Sequence, residues 1–433
     1  MKYWSKEIET MTRPELEKLQ LERLRWTLEQ ASHSPFYQEI FRRASIKPGE
    51  IRSLEDLAGL PFTSKADLRS AYPSNMLAVN PTRVVRMHSS SGTTGQATVI
   101  YHTARDLDGW TNLVTRGLVM AGCGPEDVFQ NMMTYGLFTG GLGLHYGAER
   151  LGMMVIPAGG GNSHRQIQLL RDFNTTVIHI TPSYALHLSD VIRDLGLGRD
   201  DFKLRLLIFG AEPYSKATRD KIERVYGVTA HNCYGLSEMN GPGVAFECRQ
   251  SEGMHLWEDN YIVEIIDPLS GEPVPPGHDG EVVLTTLNRE AMPLIRYRTR
   301  DLARIYEETE CPCGRNFRRL SRVIGRTDDM LIVRGVNVFP SQVEHVLMAL
   351  PEVGTNYQIL LGREENLDRM TVRVEIRRQM FHGEMDELRA LRRKIQHELK
   401  EQILITTEVE LMEPGALPPS QGKAKRVIDK RQI

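Results

Sequence analysis

The sequence predicts an α/β protein. It has a large N-terminal domain of mostly parallel sheets flanked by helices, a small β subdomain, and a smaller mobile α+β domain at the C-terminus. Three observations predict this. Between about residues 127 and 232, short apolar runs alternate with helix-length amphipathic stretches, the pattern of βαβ units. From about 261 to 305 the text becomes strands separated by Gly- and Pro-rich turns. Past Gly325 a fresh strand–helix–strand series begins.

Taken in order, the first 80 residues read as mainly helical, with Leu21, Leu24 and Leu28 on one apolar face and Leu16 at its edge. Apolar runs at 127–132, 153–156, 177–180, 206–209 and 228–232 read as strands, and 140–151, 163–173, 183–195 and 215–226 as the helices between them. Ligands of such sheets bind beyond the carboxyl ends of the strands. The segments there are 135–141, 159–162, 181–183, 210–213 and 234–243, rich in Gly, Ser, Thr and aromatics. The β subdomain contains YIVEII and EVVLTT, separated by the turn-rich DPLSGEPVPPGHDG. The C-terminal unit reads as a strand at 330–334, a helix from Ser341, strands near Gln358 and Thr371, and a charged helix at 384–401. The expected division is therefore 1–325, a polar hinge at 326–328, and 329–433.

Composition excludes several classes. About 40% of the 433 residues are hydrophobic and 25% charged, as in ordinary globular proteins. A formal net charge of −2 gives no sign of a nucleic-acid surface or a membrane patch. Residues 13–32 mix Glu, Lys and Arg with Leu and do not form a signal peptide. No apolar run approaches the roughly 20 residues of a membrane helix. Five cysteines (Cys123, Cys233, Cys248, Cys311, Cys313) are too few and too irregular for a disulfide framework. The expected location is cytoplasmic.

Five short segments carry chemistry. His88-Ser89-Ser90-Ser91-Gly92-Thr93-Thr94-Gly95-Gln96 offers five hydroxyls and two glycines between Ser89 and Gly95, followed by a strand. Backbone N–H groups and hydroxyls in such a loop can wrap phosphate oxygens. It is not a Walker loop, since it lacks G-x-x-x-x-G-K-[ST] and a following helix. In Asn232-Cys233-Tyr234-Gly235-Leu236-Ser237-Glu238, Tyr234 can stack on a purine and Glu238 can hold a Mg²⁺ ion that bridges phosphates. In Tyr297-Arg298-Thr299-Arg300-Asp301, a fixed carboxylate after a strand suits two ribose hydroxyls. The remaining two are Gly325-Arg326-Thr327-Asp328-Asp329 with Arg334-Gly335-Val336-Asn337-Val338-Phe339-Pro340, and Gly422-Lys423-Ala424-Lys425-Arg426. Singly, these also fit a surface turn, a helix cap, an ion pair or a solvated basic tail.

In this order and spacing the segments resemble the adenylate-forming acyl–coenzyme A ligases, and most closely the phenylacetate–coenzyme A ligase family. The branch-level likeness lies in YGLFTGGLGLHYGAE, FGAEPYS, GLSEMNGPGVAFEC and RGVNVFPSQVE. The resemblance implies an enzyme that uses ATP and Mg²⁺ to turn a carboxylic acid, of aryl type, into an acyl-adenylate and then a coenzyme A thioester, with a place in phenylacetate catabolism. It implies nucleotide contacts at Ser90, Ser91, Gly92, Thr93, Thr94, Gly95, Ala211, Glu212, Pro213, Asn232, Tyr234, Gly235, Asp301 and Arg326. Lys423, Glu238 and Thr94 are the implied catalytic residues, Asp328 the hinge, and Gly335 the place where the pantetheine arm passes. Rotation about Asp328 would withdraw Lys423 and bring in the 334–338 loop. The acyl pocket is expected among Tyr135, Phe138, Gly210, Ala211, Glu212, Asn240 and Pro242. The chain departs from the family at Gln96, where a lysine often follows the last loop glycine, and at LPPSQ before Gly422. The resemblance also suggests a homodimer.

Cys248 and His255, six residues apart in the intervening chain, join Cys311-Pro312-Cys313-Gly314 as a candidate tetrahedral Zn²⁺ set. Two other functions share the same segments: an adenylyltransferase like the synthetases that adenylylate a deazaflavin coenzyme, and a non-catalytic nucleotide-binding protein. Retention of Thr94, Glu238, Asp301, Arg326 and Lys423 together argues against the last.

Overall fold

The computed structural model describes residues 2–89, 97–250, 253–307, 310–334, 336–364, 367–378, 385–418 and 426–431. The runs VIHI and LLIF become strands Val177–Ile180 and Leu206–Phe209, buried at every position. Strands covered on both faces require apolar residues throughout rather than alternation. With Val128–Asn131, Met154–Ile156 and Thr229–Leu236 they form a run of parallel neighbours in an eight-stranded sheet. The sheet then turns antiparallel through Gly241–Glu247, Met254–Leu256 and Arg319–Leu320. The 234–243 segment, expected as a loop, is therefore the end of one strand, a 3₁₀ turn at Ser237–Met239 and the start of the next. Its reversal is made by left-handed backbone at Asn240 (φ 67°) and Gly241 (φ 73°).

The crossover helices begin where polar side chains satisfy their first N–H groups. Asn162, Thr181 and Ser215 cap Ser163–Asp172, Pro182–Asp194 and Lys216–Tyr226. Helix Ala104–Ala121 is capped by Thr103 with Asp106 and lies against the glycine-rich helix Thr139–Leu151. A Cβ on Gly147 would sit 2.5 Å from Val114, so glycine sets that close approach.

Helix Arg13–Ala31 differs from expectation in rotation. Leu16 is fully buried beside Leu24 and Leu28, while Leu21 is only partly covered. Polar anchors turn it: Gln20 donates to the Glu258 carbonyl at 2.8 Å, and Arg13 forks onto the Glu258 carboxylate at 3.0 and 2.9 Å.

The β subdomain is a four-stranded antiparallel sheet of Tyr261–Ile266, Gly280–Thr286, Tyr297–Ala303 and Gly325–Arg326. The C-terminal unit has a central hairpin, Val353–Glu364 with Leu367–Ile376, flanked by the parallel strands Glu408–Met412 and Val427–Asp429. Its helices are Pro340–Ala349 and Met385–Ile403. Its apolar core is continuous with that under helices Pro182–Asp194 and Lys216–Tyr226. Polar ties cross the same junction, including Thr355 to Asp190 at 2.8 Å and the Ser215 N–H to Glu344 at 3.2 Å. Among the described residues no helix is long and apolar enough to cross a membrane.

Candidate nucleotide and acyl site

The carboxyl ends of three parallel strands open onto a cavity of about 220 Å³. His179, Gly210 and the stretch from Asn232 to Ser237 reach it, with Phe138, Pro242, Asp301 and Arg326 closing its sides. Glycine is obligatory at two of these positions. A Cβ on Gly210 would meet the Cys233 sulfur at 2.9 Å, and one on Gly235 would lie 1.7 Å from the Gly241 carbonyl oxygen. Ala211 follows in left-handed backbone, φ 72°, a conformation that non-glycine residues adopt at a cost.

One flank is charged. The Tyr234 hydroxyl donates to Asp301 Oδ2 at 2.7 Å, and Arg326 Nη1 donates to Asp301 Oδ1 at 2.9 Å. Arg326 also forks onto Asp328, Nε to Oδ1 at 2.9 Å and Nη2 to Oδ2 at 3.0 Å. Burial alone would weaken the arginine's hold on its proton, but the bond to Asp328 and the charges of Asp301, Asp328 and Asp329 keep its pKa above the ordinary value. Burial, and then the Asp301 charge, drive the Tyr234 pKa well upward, so this hydroxyl stays a donor. Asp301 lies within strand Tyr297–Ala303, not after it. Arg300, at φ 69°, and a shift of register opposite Glu281 and Val283 set its direction. Arg326, at the start of the segment expected as the hinge, is the ladder partner of Asp301.

The opposite flank is neutral. Asn131 Nδ2 donates to the Tyr135 hydroxyl and the Gly141 carbonyl, at 3.0 and 2.7 Å, which turns its Oδ1 toward His179 Nδ1 at 3.0 Å. A carbonyl oxygen only accepts, so His179 Nδ1 carries the proton and Nε2 keeps a lone pair. Burial lowers the His179 pKa to about 3, so the ring is uncharged at neutral pH. The Cys233 thiol is pushed up to about 12 by burial and by Glu247, so it is no nucleophile. Tyr135 and Asn240, expected in the acyl pocket, are not among the lining residues. Tyr135 is held against His145 at 3.1 Å, and Asn240 sits in the hairpin turn facing Tyr261.

Glu238 is buried one residue behind the cavity wall, in the Ser237–Met239 turn. Its carboxylate faces Lys65 Nζ at 3.8 Å and the Tyr297 hydroxyl. Glu212 accepts the Ser183 N–H at 2.5 Å, and Glu212 and Pro213 divide this cavity from a larger one of about 570 Å³ under the C-terminal unit. Ser90, Ser91, Gly92, Thr93, Thr94, Gly95, Gly335 and Lys423 lie outside the described residues. The strands on either side of the first loop, Arg86–Ser89 and Val99–His102, pair antiparallel as the strand–loop–strand reading requires. Cys248, His255, Cys311 and Cys313 come together at the far edge of the eight-stranded sheet, with ligand atoms within 4.8 Å of one another.

Residues 23–288 match the AMP-binding enzyme family, and residues 335–431 the AMP-binding enzyme C-terminal domain. The chain is 45% identical over 429 residues to phenylacetate–coenzyme A ligase of Escherichia coli (strain K12), covering 98% of this chain and 97% of that one. It is 46% identical over 426 residues to the phenylacetate–coenzyme A ligase of Pseudomonas putida, covering 98% and 96%. The chain belongs to the phenylacetate–coenzyme A ligase family. Among solved structures, 2-hydroxyisobutyryl-CoA ligase with 2-HIB-AMP in its postadenylation state has a TM-score of 0.94, at 31% identity and 99% and 93% coverage. The same ligase with 2-HIB-AMP and CoA in its thioesterification state gives 0.74, at 32% identity and 100% and 93% coverage. The chain as a whole thus superposes more closely on the former.

Two residues at this candidate site escaped the sequence reading. His179 left a signal, a polar ring inside the otherwise apolar run VIHI. Lys65 left none, because a helix of the N-terminal region brings it to Glu238 only on folding.

Proposed function

We propose that this AMP-forming acid–coenzyme A ligase takes phenylacetate or a closely related aryl acid. One observation carries the reading: the charged Tyr234–Asp301–Arg326 flank and the neutral His179–Gly210–Phe138 flank share one cavity. A nucleotide needs the first and an aryl group the second. The names of the relatives covering nearly the whole chain agree with it.

A carboxylate is a poor electrophile at neutral pH, and adenylation gives it AMP as a leaving group. Charge gathers on the α-phosphate in that step and must be met by oriented donors and cations. Lys423 is assigned to the α-phosphate and acyl oxygen, and the hydroxyls and backbone of Ser90 to Gly95 to the departing pyrophosphate. Asp301 is assigned to the ribose hydroxyls, because a carboxylate accepts several hydrogen bonds at once. Asn232, Tyr234, Gly235 and the turn from Ala211 to Pro213 are assigned to the adenine side of the cavity. Glu238 fits Mg²⁺, because a buried carboxylate, here beside the Tyr297 hydroxyl and with Lys65 at 3.8 Å, supplies the hard oxygen such an ion takes together with phosphate oxygens. When bound, the ion would neutralise triphosphate charge. Rotation about Asp328 then exchanges Lys423 for the loop holding Gly335, and a coenzyme A thiolate attacks the acyl carbon with loss of AMP.

ATP–pyrophosphate exchange with a panel of carboxylic acids, repeated with coenzyme A, tests the reading. Exchange and thioester with phenylacetate are expected. Exchange confined to short hydroxy acids, with none above background for any aryl acid, overturns the substrate assignment. AMP retained in the product, with no thioester, would point to adenylyl transfer.

A further inference from the structure

The geometry points to a structural zinc site formed by Cys248, His255, Cys311 and Cys313, which fastens the chain between Ala303 and Gly325 to the edge of the eight-stranded sheet. None of the four residues lines the nucleotide and acyl cavity, so the site is separate from the catalytic centre.

The donor set is what zinc takes in closed sites, three thiolates and one imidazole. The spacing also fits. A tetrahedral ion with Zn–S bonds of about 2.3 Å holds its sulfurs about 3.8 Å apart. Cys248 Sγ and Cys311 Sγ are 3.7 Å apart, and Cys313 Sγ is 3.3 Å from His255 Nε2. A disulfide would bring two sulfurs to about 2.05 Å. The surrounding contacts orient the donors. His255 Nδ1 donates to the Phe317 carbonyl at 3.1 Å, which leaves the Nε2 lone pair facing the sulfurs. The Gln250 N–H donates to Cys248 Sγ at 3.4 Å, as suits a sulfur bearing negative charge. The Cys311 carbonyl accepts the Gly314 N–H at 2.8 Å, closing the turn that presents both of its thiols on one side. On binding, three thiols release their protons to solvent and no redox step is involved.

The position of the site shows what it would do. Strand Tyr297–Ala303 belongs to the four-stranded sheet, and the chain then leaves it for the eight-stranded sheet. There Arg319–Leu320 makes a two-residue ladder, with Arg319 opposite His255. So short a ladder has little stability of its own. The chain next returns to the first sheet at Gly325–Arg326, where Arg326 meets Asp301. A metal joining Cys311 and Cys313 to His255 and Cys248 fixes this excursion at its far point. It thereby sets where the Arg322–Arg326 wall of the cavity begins.

The test uses the full-length protein, produced with zinc in the medium and purified without chelator. Elemental analysis is expected to find about one zinc per chain. Cys311→Ser and Cys248→Ala are expected to lose it. Chelator-stripped wild type should melt at a lower temperature and bind ATP several-fold more weakly, with both restored by zinc and not by magnesium. If the variants fail to fold, cobalt exchange into the wild type decides, since thiolate-to-cobalt charge-transfer absorption is expected. Only trace zinc, with no uptake of zinc or cobalt by the reduced protein, overturns the proposal. So does an intact mass lighter by two hydrogens under denaturing, non-reducing conditions, because that is a disulfide.

Discussion

The two flanks of the cavity are built from different materials. On the flank proposed for the nucleotide, Tyr234 and Arg326 each donate to Asp301 and Arg326 also forks onto Asp328, through charge-assisted contacts of 2.7–3.0 Å. On the flank proposed for the acyl group, Asn131 and His179 are also held by a hydrogen bond but carry no charge. A preassembled charged network holds its direction before the polyanion arrives, so little is lost to reorganisation. A neutral, partly apolar flank avoids a second cation competing for the substrate carboxylate, which has to lie near the α-phosphate.

The largest expected effect separates chemistry from both flanks. Lys423→Ala should abolish pyrophosphate exchange yet still convert a supplied acyl-adenylate to thioester; equal loss of both half-reactions would remove the lysine from its assigned step. Asp301→Ala comes next. It strands the Tyr234 hydroxyl and Arg326 as well as the ribose, and hydrogen bonds to charged groups are worth about 1.5–3 kcal/mol, so ATP affinity should fall roughly tenfold to a hundredfold. The KM for the acid should move far less. If both change together, the two flanks are not independent.

His179→Leu is expected to act only on the acyl flank. Losing a neutral acceptor costs about 1 kcal/mol, so activity toward a ring-hydroxylated aryl acid should fall about fivefold relative to a plain one, with the KM for ATP unchanged. An unchanged ratio would mean that the Nε2 lone pair never meets the substrate. The smallest effect concerns acid stability. The pKa of His179 is lowered to about 3, that of His231 to about 4 and that of His102 well below normal, with burial the leading cause each time. These rings bind protons more readily when unfolded, near the ordinary value of about 6.5. Their contribution is therefore complete above that pH and shrinks as pH falls through the window down to about 3 for His179. Thermal melts should show a fall in midpoint from pH 6.5 to about 4 that is shallower in His102→Gln.

The elements were legible in the sequence wherever burial is uniform. VIHI and LLIF could only be strands covered on both faces, and the predicted bounds of 177–180 and 206–209 coincide with those found. The rotation of helix Arg13–Ala31 was not legible, because Gln20 and Arg13 reach partners more than 200 residues away. Asn240 and Tyr135 looked like pocket residues by their place in the motifs. Backbone reversal at the first and a local bond to His145 at the second take them elsewhere.

By itself the sequence determined the order of strands and helices, the family, and the residue types of the charged flank. Each depends on neighbours along the chain: apolar periodicity, capping residues, glycines where no Cβ fits. Only the tertiary structure decided that Asp301 sits between Tyr234 and Arg326, that Lys65 faces Glu238, and that His179 offers a neutral acceptor. Those facts rest on contacts between segments distant in the chain. Direction and protonation arise from what surrounds a side chain, and for these residues the surroundings exist only after folding.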